Sequence, residues 1–314
     1  MSILFAVSGW NASAWRARLQ ELMPAGSVAA LGEPFDRRSI RYALSWRHPP
    51  GALAGLPNLQ AIFSLGAGVN HLFADPFLPE KPIVRAVDPD LRDRTSELVV
   101  LHALIHLRQF RRYERQQRER VWADDDAQPK AADVQVGVLG LGVLGMDAAR
   151  KLKGLGFRVA GWSATQKSVA GIDCYCGGEG LRRLLSRTDI LVALLPLTNQ
   201  TRGLLNASLF AQLKQGGRLG GPVLVNAGRG GLQVEADILA ALNSGILKGA
   251  SLDVFEREPL PVDSALWLHP AVYVSPHNAA ISAPDAIVAG IVRQIEAYEC
   301  GEPLINVVDR RRGY

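Results

Sequence analysis

Apolar residues along the chain fall into short runs separated by turn-forming residues. Ile3 to Val7 predicts a strand, Ala14 to Leu22 a helix, and Tyr42 to Trp46 a strand before His48-Pro49-Pro50. Leu59 to Leu65 is a further apolar run, closed by Gly66-Ala67-Gly68. Residues 96–121 contain neither Gly nor Pro and predict one long helix; Asp124 to Lys130 is polar and proline-containing and predicts a connection. The pattern then strengthens. Val134 to Leu139, Phe157 to Trp162, Ile190 to Leu195, Val223 to Asn226, Ala250 to Val254 and Val272 to Val274 predict strands. Ala148 to Lys153, Ala236 to Leu242 and Ala286 to Cys300 predict helices. Strands alternating with helices point to an α/β fold with parallel sheets covered by helices.

Composition adds limits. A chain of 314 residues with 48% hydrophobic and 21% charged residues suits two globular domains and excludes disordered and fibrous classes. The 31 glycines have no fixed period, so collagen and repeat arrays are excluded. No run approaches the roughly 18 apolar residues of a spanning helix, and no membrane partner is expected. The first residues lack a basic start and a full apolar segment, so no secretory signal is expected. Three cysteines cannot build a disulfide framework, which points to the cytoplasm. Cys174-Tyr175-Cys176 lacks the second pair a structural zinc requires, so no metal is expected. The net charge is +5, and six arginines cluster between Arg108 and Arg120, mixed with Glu114 and Glu119. That mixture reads as a solvated or subunit-facing helix, and no nucleic-acid partner is expected.

Gly140-Leu-Gly142-Val-Leu-Gly145 directly follows one predicted strand and precedes a helical stretch. In that setting G-x-G-x-x-G predicts a dinucleotide cradle. The first glycine permits the tight turn, the second lets the backbone approach a pyrophosphate, and the third lets helix and strand pack closely. An acidic ribose ligand is expected roughly 20 residues further on. The chain places Ser163 there, followed by Ala164-Thr165-Gln166-Lys167.

Three later segments carry chemistry: Asn226-Ala-Gly-Arg229-Gly230, Asp253-Val-Phe-Glu256-Arg-Glu258-Pro259 and Ser275-Pro276-His277-Asn278-Ala279. Each begins where a predicted strand ends, the edge at which open parallel sheets bind ligands. Reduction of a 2-keto acid requires a hydride at the carbonyl carbon and a proton at its oxygen. His277 suits the proton donor. Glu258 suits the group that holds the other ring nitrogen, with Glu256 as its competitor. Arg229 suits the substrate carboxylate, which its planar fork matches.

The ordered set of cradle, Arg, Glu-Pro and Pro-His resembles the D-isomer-specific 2-hydroxyacid dehydrogenases. Within that family the likeness is to the glyoxylate/hydroxypyruvate reductase A group. It is carried by Trp46 with Pro49-Pro50, Leu65-Gly-Ala-Gly-Val69, Gly161-Trp162-Ser163, Leu266-Trp267-Leu268-His269-Pro270 and Asp309-Arg-Arg-Arg-Gly-Tyr314. The resemblance implies two doubly wound parallel-sheet domains, a Rossmann domain inserted in a flavodoxin-like one, with a cleft between them. The substrate domain would span 1–98 and 285–314; the dinucleotide-binding domain would span 99–284 and include a dimerisation helix over 96–121.

The resemblance also implies site residues. Cofactor contacts would come from Gly140, Gly142, Val143, Leu144, Gly145, Trp162, Ser163, Lys167, Leu195, Pro196, Thr201, Ala227 and Asp253. Substrate contacts would come from Trp46, Ala67, Gly68, Val69 and Arg229. Ser163 in place of an acid favours NADPH over NADH, with Lys167 supplying charge. The implied activity is reduction of glyoxylate or hydroxypyruvate by a homodimer. Two alternatives stay open: a relative with a larger substrate, and a dinucleotide-sensing protein like the C-terminal binding protein co-repressors. Gly228 and the glycine-rich loop 216–222 depart from the family pattern, and both predict extra backbone freedom near Arg229.

Overall fold

The computed structural model describes residues 2–280 and 283–314. The strands are β1 (Ser2–Val7), β2 (Val28–Ala30), β3 (Ile40–Trp46), β4 (Ala61–Ser64), β5 (Ile83–Val84), β6 (Gln135–Leu139), β7 (Arg158–Trp162), β8 (Asp173–Tyr175), β9 (Ile190–Ala193), β10 (Val223–Asn226), β11 (Gly249–Leu252) and β12 (Val272–Val274). The helices are α1 (Ser13–Leu22), α2 (Pro89–Leu107), α3 (Phe110–Glu119), α4 (Val143–Gly154), α5 (Gly177–Leu185), α6 (Ala207–Phe210), α7 (Glu235–Asn243) and α8 (Pro284–Glu299). The chain divides into two compact units, Met1–Leu91 with Ser282–Tyr314, and Arg92–Ile281.

The first unit holds a five-stranded parallel sheet in the order β2-β1-β3-β4-β5. Its strands are almost continuously apolar and buried, as Ile3 to Ala6 and Ala61 to Phe63 show. Such runs belong to a sheet covered on both faces. Helix α8 buries Ile287, Val288, Ile291, Val292 and Ile295, one stripe at helical spacing, and packs against α1. Register pairs Val7 with Trp46 and Ser45 with Ser64, so the ends of β1, β3 and β4 lie side by side.

The second unit holds seven parallel strands in the order β12-β11-β10-β9-β6-β7-β8. Its first strand, β6, lies inside the sheet, and the winding reverses between β6 and β9. That reversal is the crevice where doubly wound sheets bind ligands. Register pairs Leu139 with Ala193, Ala193 with Asn226, Asn226 with Leu252 and Leu252 with Val274. The segments that follow β6, β9, β10, β11 and β12 therefore emerge along one edge.

The structure differs from the sequence pattern in several places: β2, β5 and α6 are not among the expected elements, and two further differences have an identifiable cause. The expected helix over 96–121 is two helices, because Gln109 adopts a left-handed φ of 53°. Tertiary bonds hold that break: the Gln109 and Arg112 side chains donate to Asp125 at 2.6 and 3.0 Å. Absence of Gly and Pro is a weak predictor against such contacts. The second difference is the unit β8–α5, which the glycines of Gly177-Gly-Glu-Gly180 conceal. Among the described residues, no helix is long and apolar enough to cross a membrane, and no cluster of His, Cys, Asp or Glu is arranged to hold a metal ion.

Candidate active site

The cradle begins where β6 stops. Gly140 holds φ of 102°, and a Cβ there would lie 2.7 Å from the Leu194 carbonyl oxygen. Only glycine takes that conformation without strain. A Cβ on Gly145 would overlap the Gly140 carbonyl oxygen, so this glycine lets α4 pack on the strand turn. Gly142 precedes α4 and is exposed, with nothing within 4 Å of a would-be Cβ. The first amide of this stretch bonded within the helix is that of Met146, which donates to the Gly142 carbonyl at 2.9 Å. The amides of Val143, Leu144 and Gly145 are thus the orphan donors of a helix start, and the space that a side chain at 142 would fill is open. Donors, helix dipole and that open space fit a pyrophosphate.

Around the next strand end, Ser163 is buried and its amide donates to the Tyr175 carbonyl at 3.1 Å. Its hydroxyl donates to the Thr165 carbonyl at 2.7 Å, so it serves the loop and is not free as a phosphate donor. Residues 164–168, Lys167 among them, are exposed. The Trp162 indole N–H donates to the Gly177 carbonyl at 2.9 Å. Beyond β9, the Thr201 hydroxyl donates to the Pro196 carbonyl at 2.7 Å and accepts from the Thr198 amide at 2.8 Å, which closes the turn that follows buried Leu195. Buried Ala227 follows β10, its amide donating to the Ala193 carbonyl at 3.3 Å.

Arg229 sits on a braced turn. Asn226 is fully buried; its side-chain Oδ1 accepts from the Gly228 amide at 3.1 Å. Its side-chain amide donates to Gln233 Oε1 at 2.8 Å and to the Arg229 carbonyl at 3.3 Å. Gln233 in turn donates to the Val254 carbonyl at 2.9 Å. The Arg229 guanidinium donates to the Gly228 carbonyl at 2.6 Å. The extra freedom expected at Gly228 is not what packing gives. The residue is buried, and a Cβ there would press on Leu232 at 3.0 Å and on the Ala193 and Leu195 carbonyls at 3.2 Å. The 216–222 loop is anchored at its start by an ion pair of 2.9 Å between Lys214 and buried Asp189.

His277 Nδ1 lies 2.8 Å from Glu258 Oε2, while Glu258 Oε1 accepts from the Phe255 amide at 3.2 Å. Nε2 of His277 has no protein partner among the described residues. Glu256 faces elsewhere: it accepts from the Glu235 amide at 2.7 Å. Asp253, expected among the cofactor contacts, directs both carboxylate oxygens to the segment that carries His277. Oδ1 accepts from the Ser275 hydroxyl at 2.6 Å and the Asn278 amide at 3.1 Å; Oδ2 accepts from the Ala279 amide at 2.9 Å. Burial raises its pKa and outweighs those bonds, which favour the charged form. The sequence offered no sign of this bracing, or of the Asn226–Gln233 pair, since each joins residues from separate strand ends.

In the first unit, Trp46 is the last residue of β3, and Ala67, Gly68 and Val69 follow the adjacent end of β4.

A glycine cradle at the switch point of a doubly wound sheet, with Arg, Glu and His on the neighbouring strand ends, defines a dinucleotide-dependent oxidoreductase. Comparison with known proteins narrows that class. Residues 100–279 match the family model "D-isomer specific 2-hydroxyacid dehydrogenase, NAD binding domain". The chain is 38% identical over 320 aligned positions to glyoxylate/hydroxypyruvate reductase A of Escherichia fergusonii, with all of both chains covered. It is similar to the crystal structure of an NADPH-dependent glyoxylate/hydroxypyruvate reductase from Sinorhizobium meliloti in complex with NADP and sulfate. That match has 47% identity, a TM-score of 0.93 and full coverage of both chains. A D-isomer specific 2-hydroxyacid dehydrogenase from Xanthobacter autotrophicus in complex with NADPH and MES gives 41% identity and a TM-score of 0.92, covering 100% and 99% of the two chains. The chain belongs to the D-isomer specific 2-hydroxyacid dehydrogenase family.

Proposed function

We propose that this enzyme reduces a small 2-keto acid, glyoxylate or hydroxypyruvate, to glycolate or D-glycerate, with NADPH preferred over NADH. The observation that carries the reading is the His277–Glu258 pair on strand ends adjoining Arg229, in a chain whose full-length relatives bear that activity in their names. A reduced nicotinamide, when bound, supplies the hydride. The residues of the chain do the rest. Gly142 and the amides of Val143 to Gly145 hold the pyrophosphate. Arg229 binds the carboxylate and polarises the carbonyl. His277 donates a proton from Nε2 to the carbonyl oxygen, while Glu258 fixes the ring through Nδ1. The first unit serves as the substrate domain and the second as the dinucleotide domain. In the first, Ala67, Gly68 and Val69 offer amides to a carboxylate.

The cofactor preference rests on the missing acid after β7. An aspartate there bonds the ribose hydroxyls of NADH and repels a 2′-phosphate. With the Ser163 hydroxyl turned to Thr165, phosphate binding falls to Lys167 and loop amides. The chain acts as a homodimer through α2, α3 and the segment after them, where Leu101, Phe110, Val121 and Trp122 are exposed, Trp122 completely. A monomeric mass at micromolar concentration contradicts that assembly. Its cysteines are free thiols, which suits the reducing cytoplasm. Steady-state assays with a panel of 2-keto acids and both cofactors test the whole reading.

A further inference from the structure

In the loop after β4 three successive amides lack protein partners among the described residues while three of its carbonyls are engaged. Among the described residues, the amides of Ala67, Gly68 and Val69 have no protein partner. The carbonyls beside them do. Gly66 accepts from the Ala86 amide at 3.1 Å, and Val69 accepts from the Leu72 amide at 3.0 Å. Gly68 accepts from the Ser64 hydroxyl at 3.4 Å, and that same hydroxyl accepts from the Gly66 amide at 3.3 Å. Ser64 is fully buried and belongs to the floor of the loop. One hydroxyl thus ties both the Gly68 carbonyl and the amide of Gly66, while the three successive N–H groups of Ala67 to Val69 stay without a protein partner among the described residues. A concavity of such amides is an anion nest.

A second contact fixes the same loop. A Cβ on Gly66 would overlap Cζ3 of the Trp46 indole and lie 2.9 Å from Cη2. The indole lies directly on the glycine backbone, and it also meets the His71 imidazole, with centroids 4.5 Å apart. The turn after Trp46 is held by a buried chain: Ser45 Oγ to His48 Nδ1 at 2.7 Å, and His48 Nε2 to Asp75 Oδ2 at 3.0 Å.

We infer that Ser64 and Trp46 are positioning residues of the substrate-carboxylate seat, which they build by aiming the Ala67–Val69 amides at one anion. The inference rests on the proposed 2-keto acid reductase activity and names the residues that make its seat competent. Neither side chain has to touch the reacting atoms.

The test uses Ser64→Ala, Ser64→Thr, Gly66→Ala, Trp46→Leu and the double variant Trp46→Leu/Gly66→Ala in the full chain. Steady-state constants are measured for glyoxylate and for NADPH, and oxalate binding to the protein saturated with NADP is titrated by calorimetry. Loss of one aligning bond predicts a rise of about five- to tenfold in KM for glyoxylate and in Kd for oxalate with Ser64→Ala. KM for NADPH should stay within about twofold, because neither residue belongs to the glycine cradle or the loop after β7. Ser64→Thr should recover most of the loss by restoring a hydroxyl. Gly66→Ala should weaken oxalate in the wild-type background and at least about threefold less once Trp46 is removed, since residues in contact couple. Oxalate affinity unchanged in Ser64→Ala, or a Gly66→Ala penalty that ignores Trp46, overturns the inference. A wild type that reduces no 2-keto acid refutes the activity instead; the oxalate titration still decides whether the frame shapes an anion seat.

Discussion

His277 Nδ1 and Glu258 Oε2 stand 2.8 Å apart, and the histidine is held at a left-handed φ of 52°. That conformation is uncommon for a residue with a side chain, and it recurs where a functional group must be aimed. Asp253 binds the segment on both sides of the ring, through Ser275 before it and Asn278 and Ala279 after it. Imidazole position is therefore set twice, by a carboxylate on the ring and by another on the backbone.

Removing the proton donor should be the most damaging single change. His277→Ala is expected to lower kcat by about 100- to 10,000-fold, the usual worth of a general acid. Glu258→Gln keeps a hydrogen-bond acceptor but removes the charge, and should cost less. Circular dichroism should show both variants folded, and stopped-flow or steady-state rates read the loss. Near-full turnover by His277→Ala removes it from the chemistry.

Two glycines of the cradle should separate stability from binding. Gly145→Ala pushes a methyl into the Gly140 carbonyl and is expected to lower the melting temperature by several degrees, the effect of overpacking by about 1–3 kcal/mol. Gly142→Ala meets open space, so melting should hardly change while dinucleotide affinity falls at least about tenfold. Thermal melts and cofactor fluorescence titrations give the two readouts.

Much of this was legible in the sequence, for identifiable reasons. Val223–Asn226 and Val272–Val274 have the predicted bounds, because buried parallel strands are short apolar runs with turn residues on both sides. The cradle could be read because each glycine meets a separate steric demand. Helix α5 escaped notice because its first turn is nearly all glycine; Gly180 is there to let the helix approach Tyr175, where a Cβ would lie 3.2 Å from that side chain. The frame beneath Ala67–Val69 escaped too. Trp46 stands out in the sequence as a candidate substrate contact, but Ser64 looks like an ordinary strand-end residue, and neither shows its contact with this loop until the fold is in view.

Cofactor choice should move with one charge. Ser163→Asp is expected to shift the NADPH/NADH ratio of kcat/KM at least about tenfold towards NADH, through repulsion of a 2′-phosphate at close range. Lys167→Ala should harm NADPH more than NADH, and the difference should shrink at high salt. A wild type that already favours NADH contradicts the role given to the missing acid.

A histidine outside the site should make stability depend on pH. His106 donates to or accepts from Ser251 Oγ at 2.8 Å, and the Tyr273 ring is 5.7 Å from its own. Burial, then the neighbouring His102 and Arg111, lower its pKa from 6.5 to about 3. The unfolded chain binds a proton in that interval and the folded chain does not, so stability is complete above 6.5 and declines as pH falls towards 3. One such group contributes at most about 1.4 kcal/mol per pH unit. Urea unfolding of the wild type and His106→Gln across pH 4.5 to 7 should show a shallower slope in the variant.

Reduction of small 2-keto acids is read from kcat/KM for glyoxylate, hydroxypyruvate and phenylpyruvate with NADPH, followed by loss of the reduced nicotinamide's absorbance. Glyoxylate and hydroxypyruvate should turn over at higher efficiency than phenylpyruvate, and turnover should disappear with Arg229→Ala. Preference for the aromatic acid, or no oxidation of NADPH with any of the three, would contradict that activity.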